Sequence, residues 1–180
     1  MNRTKIALAT ALTLTLPATA LAEANPKEGA LRVSADIIAL PIESAASENQ
    51  VPLGISLGGN FYANENVAIG GAIGFGLIED TAVTFAGDID YGLDPYFRAN
   101  VKLGDFSKPD YTLYGLIGLE PYTVTVNGQS ANESVGDIAF GFGGTLGNAR
   151  FGQTLGAEYV IIQDSDLDDS ITRFSLFLEF

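Results

Sequence analysis

Along most of this chain apolar and polar residues alternate with a period of two, the spacing of a β-strand with two different faces, and clusters of Gly, Asn, Asp and Pro separate the alternating stretches. Eight runs can be read. Ala30–Leu40 sets Leu31, Val33, Ala35, Ile37 and Ala39 against Arg32, Ser34 and Asp36. Val51–Tyr62 sets Leu53, Ile55, Leu57 and Phe61 against Gly54, Ser56, Gly58 and Asn60, and Val67–Ile78 sets Val67, Ile69, Ile73, Phe75 and Leu77 against Ala68, Gly70, Ala72, Gly74 and Gly76. Leu93–Leu103 opposes Phe97, Ala99, Val101 and Leu103 to Asp94, Tyr96, Arg98, Asn100 and Lys102. Tyr111 to about Val124 opposes Leu113, Ile117 and Leu119 to Thr112, Tyr114, Gly118 and Glu120, with Leu116 breaking the polar face. Val135–Leu146 opposes Ile138, Phe140 and Phe142 to Asp137, Ala139, Gly141 and Gly143, and Arg150–Ile162 opposes Phe151, Leu155, Ala157, Tyr159 and Ile161 to Gly152, Thr154, Gly156 and Glu158. Ser170–Phe180 opposes Phe174, Leu176, Leu178 and Phe180 to Arg173, Ser175 and Glu179, with Phe177 as the exception.

Each run reaches the roughly 9 to 11 residues that a tilted strand needs to cross a bilayer. The connectors alternate in length as well. Ala63–Asn66, Gly104–Asp110 and Gly147–Ala149 are the shorter set, and Pro41–Gln50, Glu79–Gly92, Thr125–Ser134 and Gln163–Asp169 are mostly longer. The pattern predicts an all-β fold, an eight-stranded antiparallel up-and-down transmembrane β-barrel over residues 30–180, with tight turns at one rim and loops at the other. An even strand count puts both ends on the tight-turn side, the periplasmic side of an outer membrane.

Periodicity does not say which face meets solvent, and composition decides it. A soluble lipocalin-like barrel needs an exterior rich in Lys and Glu, whereas here the polar face is built of Gly, Ala, Ser and Thr with a few charges, which suits a narrow interior. Arg32, Arg98, Lys102 and Arg173 fall on that face beside Asp36, Asp94, Glu120, Asp137, Glu158 and Glu179. Charges of both signs sorted to one face predict an ion-paired lumen, because an isolated charge there is costly and a paired one much less so. Arg32, early in the first run, and Glu179, late in the last, are the expected pair at a common rim. The competing reading is ordinary surface charge on half-exposed strands. Tyr62, Tyr91, Tyr96, Tyr111, Tyr122, Tyr159 and Phe180 stand near run ends, where an aromatic girdle is expected.

Residues 1–22 are read as a signal peptide, with Arg3 and Lys5 ahead of the 11-residue apolar stretch Ile6–Leu16, then Pro17 and Ala20-Leu21-Ala22. Residues 23–29 then form a short periplasmic segment. The whole chain of 180 residues carries 9 Lys+Arg and 22 Asp+Glu, a net charge of −13. Removing the leader takes Arg3 and Lys5 and leaves 7 cations against 22 anions, a net of −15. A chain so poor in cations is not expected to bind nucleic acid. No His and no Cys occur, which excludes disulfides, the common zinc sites, a Cys nucleophile and a Ser-His-Asp triad.

The ending Arg173-Phe-Ser-Leu-Phe-Leu-Glu-Phe180 resembles the terminal strand of bacterial outer-membrane proteins, with Phe174, Leu176, Leu178 and Phe180 at every second position. With the leader, the eight runs and the glycine-rich strands, the chain is similar to the small eight-stranded porin-like outer-membrane barrels that include OmpA-like transmembrane domains and the OmpX/Ail group. The resemblance implies that those four residues are the signal read by the barrel-assembly machinery. It also implies contact with outer-membrane lipid and lipopolysaccharide, and a monomer is expected. With the barrel running to residue 180, the peptidoglycan-binding domain that follows OmpA-like barrels is not expected.

Barrel enzymes of that membrane, such as lipid A acyltransferases and deacylases, use a catalytic His, so no catalytic residue is assigned here; a carboxylate pair such as Asp36 and Glu158 is better explained by charge pairing. Gly74-Phe-Gly76 and Gly141-Phe-Gly143-Gly144 superficially look like phosphate loops but lie within strands, where glycine permits close packing. Asp164-Ser-Asp166-Leu-Asp168-Asp169 opens like a calcium loop, yet Asp169 stands at the sixth position in place of Gly and Ser175 at the twelfth in place of Glu, so no EF-hand is assigned. Weak divalent-cation binding at the acidic loops stays open, and no cofactor or fixed metal is expected. The function expected is a non-enzymatic outer-membrane barrel with a plugged lumen, serving envelope integrity or surface interaction through acidic external loops. The alternatives are a narrow cation-preferring porin or a channel for small hydrophobic molecules and, below these, a soluble periplasmic lipocalin-like binder.

Overall fold

The computed structural model describes residues 26–40, 50–84, 87–163 and 170–180; the predicted signal peptide, residues 41–49 of the first long connector and the Asp164–Asp169 run lie outside them. In chain order the strands are β1 (Gly29–Ala39), β2 (Leu53–Tyr62), β3 (Val67–Ile78), β4 (Asp80–Thr84), β5 (Gly87–Leu93), β6 (Tyr96–Gly104), β7 (Tyr111–Leu119), β8 (Tyr122–Val126), β9 (Gln129–Val135), β10 (Ile138–Leu146), β11 (Thr154–Gln163) and β12 (Ile171–Glu179). Eight of them close into a barrel in the order β1-β12-β11-β10-β7-β6-β3-β2, with every neighbouring pair antiparallel. Each of the eight corresponds to one alternating run. The seam runs from Arg32↔Glu179 to Ala39↔Thr172, and Leu31 and Phe180 exchange backbone hydrogen bonds of 2.9 and 3.0 Å beyond it.

Alternation puts the apolar residues outside. Leu57, Leu113 and Phe142 are 60%, 69% and 64% exposed, whereas Arg32, Arg98 and Arg173 are at most 4% exposed. This is the inverse of a soluble barrel, which would bury the first set and expose the second. Among the described residues no helix is long and apolar enough to cross a membrane. The start of β1, Phe180 and the turns at 63–66, 105–110 and 147–153 share one rim, here the proximal rim. Backbone bonds from Phe106 N–H to the Glu65 carbonyl (2.7 Å) and from Lys27 N–H to the Arg150 carbonyl (2.8 Å) draw these turns together.

The distal rim departs from the sequence reading. The stretches 79–92 and 125–134, expected as loops, are largely strands, and β4, β5, β8 and β9 form a second antiparallel sheet in the order β4-β5-β8-β9. That order repeats the barrel order β3-β6-β7-β10, so four adjacent staves of the wall continue beyond the barrel. The continuation is broken at Glu79, Asp94-Pro95, Glu120-Pro121 and Gly136-Asp137. Pro95 and Pro121 have no N–H to donate; the β6–β7 ladder stops at Ala99↔Leu119 and β5–β8 pairing resumes at Leu93↔Val124. The β8–β9 hairpin turns on Asn127 and Gly128, at φ 50° and 73°, the left-handed pair that a tight two-residue hairpin requires. Asn-Gly between Val124-Thr-Val126 and the following polar strand was the signal for it, read instead as connector composition.

Candidate functional site

The barrel interior is layered. Nearest the proximal rim, Tyr62, Phe106 and Tyr114 pack with ring centroids 5.5 and 6.1 Å apart, and the Arg150 guanidinium lies 5.6 Å above Tyr62. Room for the interior rings comes from the strand next door. Tyr96 stands opposite Gly74, Tyr114 opposite Gly143 and Phe177 opposite Gly156, and a Cβ at any of the three glycines would collide with the facing ring. The Gly-Phe-Gly stretches of the sequence are therefore half of a steric pair, with Phe75 and Phe142 facing outward.

The middle layer holds the charges. Glu158 of β11 accepts from both terminal guanidinium nitrogens of Arg32 at 2.5 and 2.7 Å, from the Lys102 ammonium at 3.0 Å and from the Tyr114 hydroxyl at 2.8 Å. Arg32 also lies 3.6 Å over the Phe177 ring. Glu120 accepts from Arg173 Nε and Nη2 at 2.9 and 2.8 Å and from the Tyr122 hydroxyl at 3.2 Å. Asp36 accepts from Arg98 at 3.2 Å, from Tyr96 at 2.7 Å and from Ser175 at 2.5 Å, and the second arm of Arg98 donates to Ser34 and Ser56 at 2.7 Å each. Arg173 joins the groups, 3.9 Å from Asp36 and 3.5 Å from Glu158. Glu179 accepts from Asn60 but stands 3.9 Å from both Arg32 and Lys102.

Four cations, Arg32, Arg98, Lys102 and Arg173, thus meet four carboxylates, Asp36, Glu120, Glu158 and Glu179, all buried. Their charges cancel. Two-pronged Arg–carboxylate contacts and hydroxyl donors surround Asp36, Glu120 and Glu158, the condition under which buried charge is tolerable, while among the described residues Arg32 Nε has no partner and Glu179 accepts only from Asn60. The closest pairs join non-neighbouring staves: β1 with β11, β6 with β11 and with β1, and β12 with the end of β7. Distal to the charges, Ile38, Leu40, Val160, Ile162 and Ile171 are buried at 0–1% exposure and form an apolar layer.

Sequence reasoning placed most of these residues on the inner face and erred on others. Asp94 is half-buried in the link between β5 and β6, and Asp137 is exposed between β9 and β10; neither enters the lumen. The parity that assigned them assumed unbroken strands, and Pro95 and Gly136, the latter at φ 88°, end the alternation beside them. Arg32 and Glu179 are register partners as expected, yet Arg32 closes on Glu158, because the Phe177 ring props its guanidinium across β12 toward β11. The expected girdle is also corrected: Tyr62, Tyr91, Tyr96 and Tyr122 are buried, while Tyr111, Tyr159 and Phe180 face outward. The interior apolar layer was missed. Its signal is a doubled apolar residue, Ile37-Ile38 and Ile161-Ile162, where an inner-face position turns apolar.

Phe174 and Leu176 lie on the outer face of β12 with Leu178 half-exposed beside them, and Phe180, one residue past its end, is exposed too. Among the described residues no three acidic groups stand close enough to hold a metal ion. The exposed turn at 105–110 carries one tuned carboxylate: the Ser107 hydroxyl and N–H, with Lys108 at 3.2 Å, hold Asp105 down at about 2.

No protein-family model matches the chain, and no curated protein matches it. Solved structures do. Neisserial surface protein A superposes over 87% of this chain and 98% of its own, with a TM-score of 0.61 and 10% identity. Ail, the attachment invasion locus protein of Yersinia pestis, solved with the heparin analogue sucrose octasulfate, superposes over 84% of this chain and 94% of its own, with a TM-score of 0.54 and 19% identity. The chain has the fold of the small eight-stranded outer-membrane barrels.

Proposed function

We propose that this chain is a non-enzymatic outer-membrane barrel whose lumen is plugged by its own ion pairs and whose task is carried by the distal sheet and loops, in envelope integrity or surface interaction. The observation that carries the reading is the neutral set of four cations and four carboxylates between an aromatic and an apolar layer. An eight-stranded barrel is just wide enough for side chains to fill, and these do so with groups that hold one another in place. The exposed apolar band supports a membrane setting, because so much apolar surface on one soluble molecule would drive association. Phe174, Leu176, Leu178 and Phe180 remain the proposed signal for the assembly machinery, and cleavage after Ala22 the proposed route of export.

The distal connections give the partner surface its character. The segments 41–50, 79–95, 121–137 and 163–170 contain no Lys or Arg, while Glu79, Asp80, Asp88, Asp90, Asp94 and Asp137 stand among the described residues there. Such a face repels polyanions, so sucrose octasulfate, the ligand in the Ail structure, is not expected to bind; contact with lipopolysaccharide phosphates would run through divalent cations.

The test is single-channel conductance of the protein refolded in planar bilayers, with heat-modifiable gel migration as the check on folding. A folded, silent protein is expected, and Arg98→Ala or Glu120→Ala should open conductance or lower thermal stability. Stable conductance of the unmodified protein would overturn the plugged lumen, and recovery of the mature protein in the soluble periplasm would overturn the membrane assignment.

A further inference from the structure

Between the ion layer and the proximal rim lies a cavity of about 10 Å³, lined by Asn60, Lys102, Thr112, Tyr114 and Glu179 and roofed by Phe106 and Asn148. Every one of these residues is buried, none more than 7% exposed. The Thr112 hydroxyl, on a residue 3% exposed, has no hydrogen-bond partner. Two charged groups beside it are under-used. Lys102 spends one donor on Glu158 at 3.0 Å and stands 3.9 Å from Glu179, beyond hydrogen-bond reach. Glu179 accepts from Asn60 and faces Arg32 at a further 3.9 Å.

We infer that this cavity is the binding site of a single structural water, accepting from Lys102, donating to Glu179 and satisfying the Thr112 hydroxyl. The space fits one water centre, roughly 10–15 Å³, and three polar partners lie within the two to four that a buried water needs. The charge of the walls selects the occupant. An ammonium beside the cavity disfavours a metal cation, a carboxylate beside it disfavours an anion, and a neutral molecule that both donates and accepts suits them together. Lys102 and Glu179, too far apart to bond directly, become neighbours in one network through the water. That ties the last interior residue of β12 to β6 and β7 across the lumen, and it holds whether or not the barrel proves silent in bilayers.

The experiment is water-selective nuclear Overhauser spectroscopy on the full chain refolded in micelles, with heat-modifiable migration confirming the fold of each variant. A long-lived water contact at the Thr112 methyl and the Tyr114 ring is expected. Read at the Tyr114 ring, which both variants keep, it should survive Thr112→Ser and weaken or vanish in Thr112→Val, which keeps the shape and removes the hydroxyl. Absence of the contact in the unmodified protein, an unchanged contact in Thr112→Val, or a contact that appears only with one alkali cation in the buffer would each overturn the assignment.

Discussion

Four of the barrel's eight staves run on into the distal sheet, and the two regions treat charge in opposite ways. Below Pro95 and Pro121 the strands close on themselves, and every charged interior side chain meets an opposite one within the lumen. Above them the sheet β4-β5-β8-β9 has two ends, and the connections that carry it hold acidic residues with no cation. Closure creates an interior where charge must balance; an open sheet has water on hand to solvate whatever it carries. The chain's net charge of −13 therefore arises entirely outside the lumen.

Substitutions can break this contrast at its strict end and sharpen it at its tolerant end. The largest effect is expected from Glu158→Ala, which leaves Arg32, Lys102 and Arg173 around an empty centre. Removing one partner of a buried pair costs about 3–5 kcal/mol, and a urea titration of the folded, heat-modifiable form should show it; a loss under about 1 kcal/mol would mean that water already screens the lumen. Gly156→Val comes next, because its side chain would occupy the place of the Phe177 ring. Overpacking of this kind costs about 1–3 kcal/mol, and adding Phe177→Ala should recover part of it if the two residues form a steric pair.

A smaller effect belongs to the proximal turn. Asp105 titrates near 2 when folded, below the ordinary carboxylate value of about 4, so its contribution is complete above that value and fades as pH falls toward 2. Asp105→Asn should flatten that part of the stability profile between about pH 4 and 2, with a small loss at neutral pH, where the carboxylate's contribution is complete, and no difference from the parent at the acid end. The smallest effect is expected from Asp88→Asn with Asp90→Asn in the distal sheet, within about 0.5 kcal/mol of the parent. A large loss there would show the sheet to be as exacting as the barrel.

The barrel was legible because a strand puts successive side chains on opposite faces, so a single misplaced residue stands out. Arg32, Arg98, Lys102, Glu120, Glu158 and Arg173 could be assigned inward from parity and from the smallness of their neighbours, Gly70, Gly74, Gly141 and Gly143 among them. What parity cannot carry is a break in the strand. Asp94 and Asp137 were misassigned because they stand in such breaks, and the sheet beyond them was hidden because its alternation is weak, although Asn127-Gly128 marked one of its turns. Partner choice was also out of reach. Arg32 selects Glu158 over Glu179 through the Phe177 ring, and the position of that ring depends on Gly156 of the adjacent strand.

The arginine–carboxylate hydrogen bonds Arg32–Glu158, Arg98–Asp36 and Arg173–Glu120 of the lumen join residues 126, 62 and 53 positions apart in sequence. None can form from a local hairpin, and each must wait until distant staves stand in one cylinder. Contacts of such long range are slow to establish. The charged core should therefore be among the last features to mature, after the outer face has met its surroundings. A kinetic probe placed on it would follow completion of the barrel, and one placed on the β8–β9 hairpin would follow its beginning.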